Sequence, residues 1–184
     1  SLHGRAHARL RAGVLGRLNR RDLLQDPVGF RKLPQTALAV VEAVLNERIA
    51  TADDAGIDLG AQVEPACIRG VPWLLAEALG NLADNAVTYT PRGGSVTLRC
   101  GHDGHPFLQV TDTGSGIPPA ERERVLDRFH RGSNARGDGS GLGLAIVQEV
   151  AHLHGASLTV AAGPHGKGTI VTMQFRAAQQ PDPA

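Results

Sequence analysis

The order of helix-like and strand-like segments is the feature that most limits the fold of this chain. Apolar residues recur at helical spacing in three stretches, at 36–55, 71–90 and 142–154. Segments typical of strands lie between and after these stretches, at 57–63, 95–101, 107–112, 157–161 and 169–175. Because helices and strands do not alternate strictly, the order predicts an α+β fold, a two-layer sandwich with three main helices on one face of a mixed β-sheet.

Glycine and proline indicate where these segments end. Gly56 and Gly155 each follow a helical stretch and can adopt the left-handed conformation that ends a helix. Asp103-Gly104 predicts a tight turn, so we expect the strands on either side of it to form a hairpin. A fourth helix is expected from Pro118 to about residue 127, since proline fits a first helical turn and acidic residues follow it.

Chain length and breaker residues indicate one main domain. A length of 184 residues fits a single core, and breakers between 27 and 34 predict a boundary near residue 30. We expect an N-terminal helical segment over 1–30, the main domain over 31–177 and a disordered tail over 178–184. The arginine-rich stretch 1–21 fits a solvated helix face, a partner-binding arm or part of a truncated dimerisation region, and these alternatives stay open.

The composition argues against several classes of function. The formal net charge is +1, so the overall electric field gives no reason to expect a nucleic-acid partner. Cys67 and Cys100 are too few and too far apart for a zinc site or a disulfide framework, and we expect buried or half-buried thiols in a reducing compartment. No run approaches the roughly 20 apolar residues of a membrane span, and no signal-peptide pattern is present, so the expected location is the cytoplasm.

The predicted helix at 71–90 has one apolar face and one polar face. Its apolar stripe consists of Leu75, Ala78, Leu79, Leu82 and Ala86. The residues on the adjacent polar face are Glu77, Asn81, Asn85 and Thr88. Asparagine in a helix interior costs up to about 0.7 kcal/mol relative to alanine. Its side-chain oxygen is a ligand type that Mg²⁺ accepts. The row predicts a Mg²⁺ site, unless the asparagines only satisfy buried backbone groups or cap a loop.

Asp112 ends a predicted strand and is followed by Gly114 and Gly116. The glycines allow positive φ and the close approach of a flat ligand. A carboxylate at this place can accept a hydrogen bond from the N6 amine of adenine, whereas the oxygen of guanine would leave a repulsive, unpaired contact. The alternative is that Asp112 only forms an Asx turn before glycine.

A glycine-dense segment, 137–143, overlaps the start of the helical stretch at 142–154. Backbone N–H groups and the positive end of the helix converge there, which predicts a phosphate-binding loop. The segment is not a Walker loop, because no Gly-Lys-Ser/Thr follows, and it is not a Rossmann fingerprint, because no strand precedes it. A flexible linker is the alternative. Arg128, Arg131 and Arg136 flank the segment and could screen a triphosphate.

In order and spacing, the blocks at 81–85, 112–117, 128–132 and 139–144 resemble the N, G1, F and G2 boxes of the catalytic ATP-binding domain of bacterial sensor histidine kinases. That domain belongs to a superfamily with the gyrase, heat-shock chaperone and mismatch-repair ATPases. The resemblance spans about 34–176, and the Arg-Phe-His-Arg-Gly block points to the kinases. It implies a Bergerat-type ATP-binding fold with ATP and Mg²⁺ as the bound species.

The resemblance also implies roles for individual residues. Asn81 and Asn85 are implied to be catalytic, with Asn85 as the Mg²⁺ ligand. Asp112 is implied to contact the adenine amine, and Phe129 and Arg131 to belong to a lid. The residues that the resemblance places at the nucleotide are Asn81, Asn85, Tyr89, Asp112, Gly114, Gly116, Ile117, Phe129, Arg131, Ser140, Gly141, Leu142, Gly143 and Thr169.

Some features depart from the family pattern. Thr88 stands where Lys or Arg is usual, which removes one expected phosphate contact, and His130 replaces a frequent aromatic residue of the lid. The phospho-acceptor motif of the family is His-Glu/Asp followed by a basic residue, Thr and Pro, and it surrounds none of the 8 histidines. The resemblance therefore implies a domain that binds ATP but does not complete autophosphorylation by itself.

The resemblance also implies partners outside this chain. We expect the γ-phosphate of Mg-ATP to be presented to a histidine on a separate dimerisation domain of the parent kinase, and through it to reach a response regulator in two-component signal transduction. The parent is expected to be a homodimer, with or without an inner-membrane anchor. With Glu77 as a water-activating base, the chain would instead be a superfamily ATPase, and a serine-protein kinase is a related alternative. A noncatalytic, nucleotide-dependent interaction module is the alternative from another class.

Overall fold

The computed structural model describes residues 33–126 and 143–176. The helices in these ranges are α1 (Ala37–Ala55), α2 (Pro72–Tyr89) and α3 (Gly143–His154). The strands are β1 (Leu33–Thr36), β2 (Asp58–Val63), β3 (Cys67–Gly70), β4 (Ser95–Asp103), β5 (His105–Asp112), β6 (Ser157–Ala162) and β7 (Thr169–Gln174). The expected N-terminal segment 1–30, the expected tail 178–184 and the block at 128–132 lie outside the described residues.

Five of the strands form one mixed sheet in the order β2-β4-β5-β7-β6. Strand β2 runs parallel to β4, and all other neighbours in this sheet are antiparallel. The expected turn at Asp103-Gly104 joins β4 to β5, and Gly104 has a φ of +66°. The prediction of an α+β fold with a mixed sheet and three main helices is confirmed.

Burial alternates along the central strands, which shows that the helices cover one face of the sheet. Every second residue is buried along β5 and along 95–100 of β4, and the residues between them are half-buried or exposed. Helix α2 packs against both α1 and α3 and against β5. The largest fully buried side chains include Ile68, Leu74, Leu75, Leu79, Leu98, Leu108 and Met173. Because its apolar stripe lies in this core, α2 has a fixed position from which it presents its polar face.

His154 joins the end of α3 to the start of α2. Its Nδ1 lies 2.7 Å from the carbonyl oxygen of Val150, and its Nε2 lies 3.0 Å from the backbone nitrogen of Val71. A carbonyl oxygen only accepts and a backbone N–H only donates, so the ring is neutral with its proton on Nδ1. Phe175 meets the same ring edge-on, with 6.4 Å between the ring centroids. These contacts fix the spacing of the two helices that border the candidate site.

A second, two-stranded sheet of β1 and β3 is not predicted by the sequence. The strands pair antiparallel from Leu33↔Gly70 to Thr36↔Cys67. Each has 4 residues, too few for an alternating pattern to stand out, and the Pro34 that indicates a breaker lies within β1. Proline is tolerated because both strands of such a sheet are edges. The expectation of buried thiols holds for Cys100 but is wrong for Cys67, which lies on the exposed side of β3.

The helix expected from Pro118 to about residue 127 is also wrong as a prediction of helix type. Two short 3₁₀ turns, Pro119–Glu121 and Arg124–Leu126, are found instead. The N–H groups in this stretch bond to carbonyl oxygens three residues back rather than four. Arg122 donates from Nε to the carbonyl oxygen of Ile117 at 3.0 Å, so the segment folds back on the loop that follows Asp112.

Within the described ranges, no helix is both long enough and apolar enough to cross a membrane.

Candidate functional site

Hydrogen bonds within α2 orient its polar face. Asn81 donates from Nδ2 to the carbonyl oxygen of Glu77 at 2.8 Å and to Glu77 Oε1 at 3.1 Å. Both bonds use the amide nitrogen, so they turn the amide oxygen Oδ1 away from Glu77. Asn85 is half-buried one turn further along the same face. The helix therefore presents two neighbouring amide groups to whatever lies opposite.

Gly143, the first residue of α3, lies directly opposite these amides. A Cβ atom at this position would be 3.2 Å from Asn85 Nδ2, 3.3 Å from Asn85 Oδ1 and 3.6 Å from Asn81 Oδ1. Glycine thus allows the start of α3 to approach the asparagines more closely than a larger residue would. The first N–H groups of a helix lack partners within the helix and carry partial positive charge. Amide oxygens of α2 therefore lie close to a helix start of the kind that favours anions.

Asp112 lies at the end of β5 and is only 7% exposed. Its Oδ1 accepts hydrogen bonds from the backbone N–H of Gly114 at 2.8 Å and from that of Thr169 at 3.2 Å. Burial raises the pKa of this carboxyl above its ordinary value, and the bonds from Gly114 and Thr169 offset only part of that rise. The bond to Gly114 forms an Asx turn, so Asp112 also has the turn-forming role that the sequence allowed as the alternative. Thr169 lies on another strand, however, which makes Asp112 a junction between β5 and β7.

Glycines pack the backbone tightly beneath Asp112. Gly168 has a φ of +72°, and a Cβ atom there would overlap the carbonyl oxygen of Asp112. Gly116 has a φ of +74°, and its Cβ would lie 3.0 Å from the carbonyl oxygen of Gly168. A Cβ at Gly114 would press on the carbonyl oxygen of Tyr89 at the end of α2. Three chain segments therefore meet around the carboxylate with no room for side chains between their backbones.

Tyr89 and Ile117 border this junction. Tyr89 is half-buried at the last position of α2, and Ile117 is half-buried with its carbonyl oxygen bonded to Arg122. Thr88, which departs from the family pattern, donates its hydroxyl to the carbonyl oxygen of Asp84 on its own helix at 2.7 Å and is exposed. The Thr88 hydroxyl is thus engaged by its own helix and does not replace a long basic side chain.

The structure gathers the described members of the predicted site into two neighbouring groups. Asn81, Asn85 and Gly143 lie together where α2 faces the start of α3. The group around the carboxylate consists of Tyr89, Asp112, Gly114, Gly116 and Thr169, and Ile117 directly follows Gly116 in the same loop. The remaining predicted residues, Phe129, Arg131, Ser140, Gly141 and Leu142, lie outside the described residues. Sequence reasoning did not assign a role to Gly168, although the spacing of Gly166, Gly168 and Thr169 indicates a tight turn before β7.

Comparison with known proteins gives results that agree with this geometry. The profile of the family described as "Histidine kinase-, DNA gyrase B-, and HSP90-like ATPase" matches residues 70–179. The chain is 36% identical over 151 residues to sensor protein kinase PmrB of Pseudomonas aeruginosa. This match covers 81% of this chain and 31% of PmrB. The structure of the mycobacterial sensor histidine kinase MprB is similar, at 36% identity and a TM-score of 0.71, with 79% of this chain and 100% of that chain covered.

A structure of full-length ShkA in complex with AMPPNP is 28% identical, with a TM-score of 0.68. The match covers 86% of this chain and 34% of the ShkA chain. The chain spans about a third of the length of the curated relatives that it matches.

Proposed function

The chain belongs to the family of histidine kinase-, DNA gyrase B- and HSP90-like ATPases, and from this membership we propose that it is the ATP-binding catalytic domain of a sensor histidine kinase. In this role it presents the γ-phosphate of Mg-ATP to a histidine on a separate dimerisation domain. The observation that carries the proposal is the close approach of Gly143 to the paired amides of Asn81 and Asn85, because it brings oxygen atoms suited to Mg²⁺ near a helix start suited to phosphate. The similarity to PmrB and MprB supports kinase chemistry over the other branches of the family.

The residues present fit a magnesium ion. Mg²⁺ prefers oxygen ligands, retains several waters and is commonly held by one or two protein groups together with substrate phosphates. Asn81 commits its nitrogen to Glu77, which leaves an amide oxygen on the side of Gly143. We assign Asn85 as the metal ligand and Asn81 as its neighbour. The ion would neutralise charge on the phosphates when bound.

The carboxylate junction fits adenine. The two backbone donors reach Oδ1 of Asp112, and neither of them uses Oδ2. We propose that Oδ2 accepts a hydrogen bond from the N6 amine, with Gly114 and Gly116 giving the flat base room and Thr169 holding the carboxylate. Guanine offers an oxygen at the same place, so the site discriminates against it. The ShkA relative was solved with AMPPNP, an adenine nucleotide, which agrees with this choice.

The segment between the two described ranges completes the site in this proposal. Ser140, Gly141 and Leu142 directly precede Gly143 in the sequence, and we assign them to phosphate binding. Phe129 and Arg131 are assigned to the lid. Tyr89 and Ile117, which border the carboxylate junction, are assigned to the walls of the base pocket.

The proposed reaction is phosphoryl transfer to an imidazole nitrogen. A P–N bond forms to the γ-phosphorus as the bond from that phosphorus to the oxygen of ADP breaks, and the imidazole releases one proton to solvent. Such transfer depends on positioning and charge neutralisation more than on covalent chemistry from the protein. The domain therefore needs to hold the triphosphate in line with the histidine, and a neutral imidazole needs no strong general base.

The proposed partners lie outside this chain. The acceptor histidine belongs to a dimerisation domain of a homodimeric parent, and a response regulator receives the phosphoryl group. Segment 1–30 is proposed as an N-terminal segment or a remnant of the dimerisation region, and 31–177 as the catalytic domain. Because ATP is a cytoplasmic substrate, we place the domain on the cytoplasmic side of any anchored parent.

Phosphotransfer in trans tests the proposal. The chain is incubated with γ-labelled ATP, Mg²⁺ and the dimerisation domain of its parent, and label on the acceptor histidine is measured. We expect labelling by the unaltered chain and its loss in Asn85→Ala. The matched control is Asn46→Ala, the same change at an exposed position on α1, which should label normally. Full labelling by Asn85→Ala would remove the metal assignment.

One observation favours a second candidate function, an ATPase without a protein acceptor. Glu77 is half-buried, and its Oε1 accepts the hydrogen bond from Asn81, so a carboxylate lies beside the proposed metal ligands. A carboxylate at this position could activate a water molecule. Sustained phosphate release by the chain alone, abolished in Glu77→Gln, would favour this function over the kinase.

A further inference from the structure

Arg48 is a half-buried cation between α1 and α2. Its side chain is 11% exposed, and its guanidinium binds Asp84 with two hydrogen bonds, Nε to Oδ1 at 2.9 Å and Nη2 to Oδ2 at 3.3 Å. Nη1 donates to Glu47 Oε2 at 2.9 Å. Burial lowers the pKa of the guanidinium, but the carboxylates of Asp84 and Glu47 outweigh it and raise the pKa, so the group stays charged. A bidentate pair of this kind fixes direction as well as distance.

Gly80 makes room for this guanidinium. A Cβ atom at Gly80 would overlap Nη2 of Arg48 and lie 2.6 Å from its Cζ. Glycine weakens a helix interior relative to alanine, and Gly80 gains nothing from its conformational freedom, because it is not among the described glycines with positive φ. Its one structural advantage in α2 is that Arg48 can lie flat on the helix backbone.

The contact points of Arg48 adjoin the proposed metal ligands in the sequence. Gly80 directly precedes Asn81, and Asp84 directly precedes Asn85. Successive residues of an α-helix are about 100° apart around the axis, so the face that Arg48 holds is next to the face that carries the amides. Fixing one face fixes the other. A rotation of α2 by about 10° would move a side-chain tip by about 1 Å, given a helix radius of about 5–6 Å with side chains.

We propose that Arg48 is a positioning residue for the nucleotide site, which sets the rotation and height of α2 so that Asn81 and Asn85 meet the start of α3. The proposal rests on the proposed function, because it concerns how the metal-binding amides are aimed. Mg²⁺ requires near-ideal octahedral geometry at about 2.0–2.1 Å, so a displacement of about 1 Å would remove a ligand. Arg48 holds α2 from the side of α1, whereas the amides face α3.

The test uses two substitutions that break the same contact in opposite ways. Arg48→Met removes the guanidinium and keeps an apolar stem. Gly80→Ala keeps every polar group and favours the helix, but its methyl group displaces the guanidinium. The measured quantity is the ratio of the ATP dissociation constants in EDTA and in Mg²⁺, obtained by calorimetry on the full chain, with thermal unfolding recorded for each variant.

We expect each single variant to lose about 10-fold or more of this magnesium-dependent gain in affinity, which is the usual effect of removing a group that orients a metal ligand. In the Arg48→Met background, Gly80→Ala should add no further loss and should raise the unfolding midpoint. The magnesium-dependent gain of Arg48→Lys should lie between that of the unaltered chain and that of Arg48→Met, because lysine keeps the charge but cannot form the bidentate pair. The control is Gly60→Ala, at a glycine with open space around it, which should match the parent.

The outcomes separate the inference from the proposed function. A parent chain that shows no magnesium-dependent ATP binding would overturn both. If the unaltered chain shows magnesium-dependent ATP binding, and the Gly80→Ala and Arg48→Met variants show the same magnesium dependence, the positioning role alone is overturned. Losses that add up in the double variant would also overturn it, because they would show two separate effects.

Discussion

Replacing Asp112 by asparagine separates the binding role of this residue from its structural role. In Asp112→Asn the amide oxygen can keep the two backbone donors that now reach Oδ1 at 2.8 and 3.2 Å. The amide nitrogen then takes the place of Oδ2 and turns a donor toward the adenine N6 amine, which is also a donor. The variant should therefore fold but bind ATP weakly.

The size of the effect follows from the loss of a charged acceptor. A hydrogen bond to a charged group contributes about 1.5–3 kcal/mol, which corresponds to about a 10- to 150-fold weaker dissociation constant at 25 °C. Calorimetric titration with Mg-ATP measures it, and Asp58→Asn, at an exposed aspartate in β2, is the matched control. Unchanged affinity in Asp112→Asn, with parental affinity in the control, would refute the adenine role.

The pKa of Asp112 adds a pH-dependent signature to the same variant. Burial raises the pKa in the folded chain above the ordinary value of 3.8, so the folded chain holds this proton more tightly than the unfolded chain. Its contribution to stability is therefore fully present below about pH 3.8 and is lost as pH rises through the raised folded-state pKa. Asparagine is neutral throughout, so the stability of Asp112→Asn relative to the parent should increase across this window. Urea denaturation at a series of pH values measures the difference, and a flat difference would contradict the burial argument.

Two further substitutions test the packing around the site. Gly168→Ala should lower the free energy of unfolding by clearly more than the cost of placing one non-glycine residue in the left-handed conformation, which is about 1–2 kcal/mol, because its Cβ also overlaps Asp112. Gly166→Ala is the control: Gly166 has a φ of +75° and open space around it, so this variant measures the backbone strain without an overlap. Equal urea midpoints for the two variants would disprove the overlap. His154→Ala leaves the N–H of Val71 without its acceptor and should cost about 1–3 kcal/mol in thermal or urea unfolding; parental stability would show that the bond is replaced by water.

Local patterns in the sequence were sufficient to predict most of the fold. Helical spacing over 36–55 and 71–90 predicted the bounds of α1 and α2 to within a residue or two, because the apolar pattern repeats over several turns in a long amphipathic segment. The turn at Asp103-Gly104 gave the hairpin of β4 and β5, because Gly104 takes the positive φ that the turn requires. The β1–β3 pair was missed because its register joins Thr36 to Cys67 across a whole helix, and strands of 4 residues contain no repeated pattern.

The geometry of the candidate site could be predicted less completely than the fold, because part of it depends on residues that lack a side chain. The amides of α2 and the carboxylate of β5 are chemical groups that a sequence displays directly. Gly80 and Gly168 carry no such group, and their importance appears only when Arg48 and the backbone of Asp112 are seen to occupy the space of a Cβ atom. A glycine in a helix interior is a visible anomaly, but the sequence does not say which distant residue fills the vacant space.

The structural and functional interpretations of the polar residues prove to be compatible, because each side chain has two ends. Asn81 satisfies the carbonyl oxygen of Glu77 with its nitrogen, and it directs its oxygen toward α3. Asp112 makes the Asx turn and the bond to Thr169 with Oδ1, and these bonds do not use Oδ2. The bonds that a purely structural role would explain are the same bonds that hold the rest of each side chain in place for a ligand. A group that is anchored in this way loses little conformational entropy when it binds, so anchoring within the fold favours the proposed nucleotide site rather than competing with it.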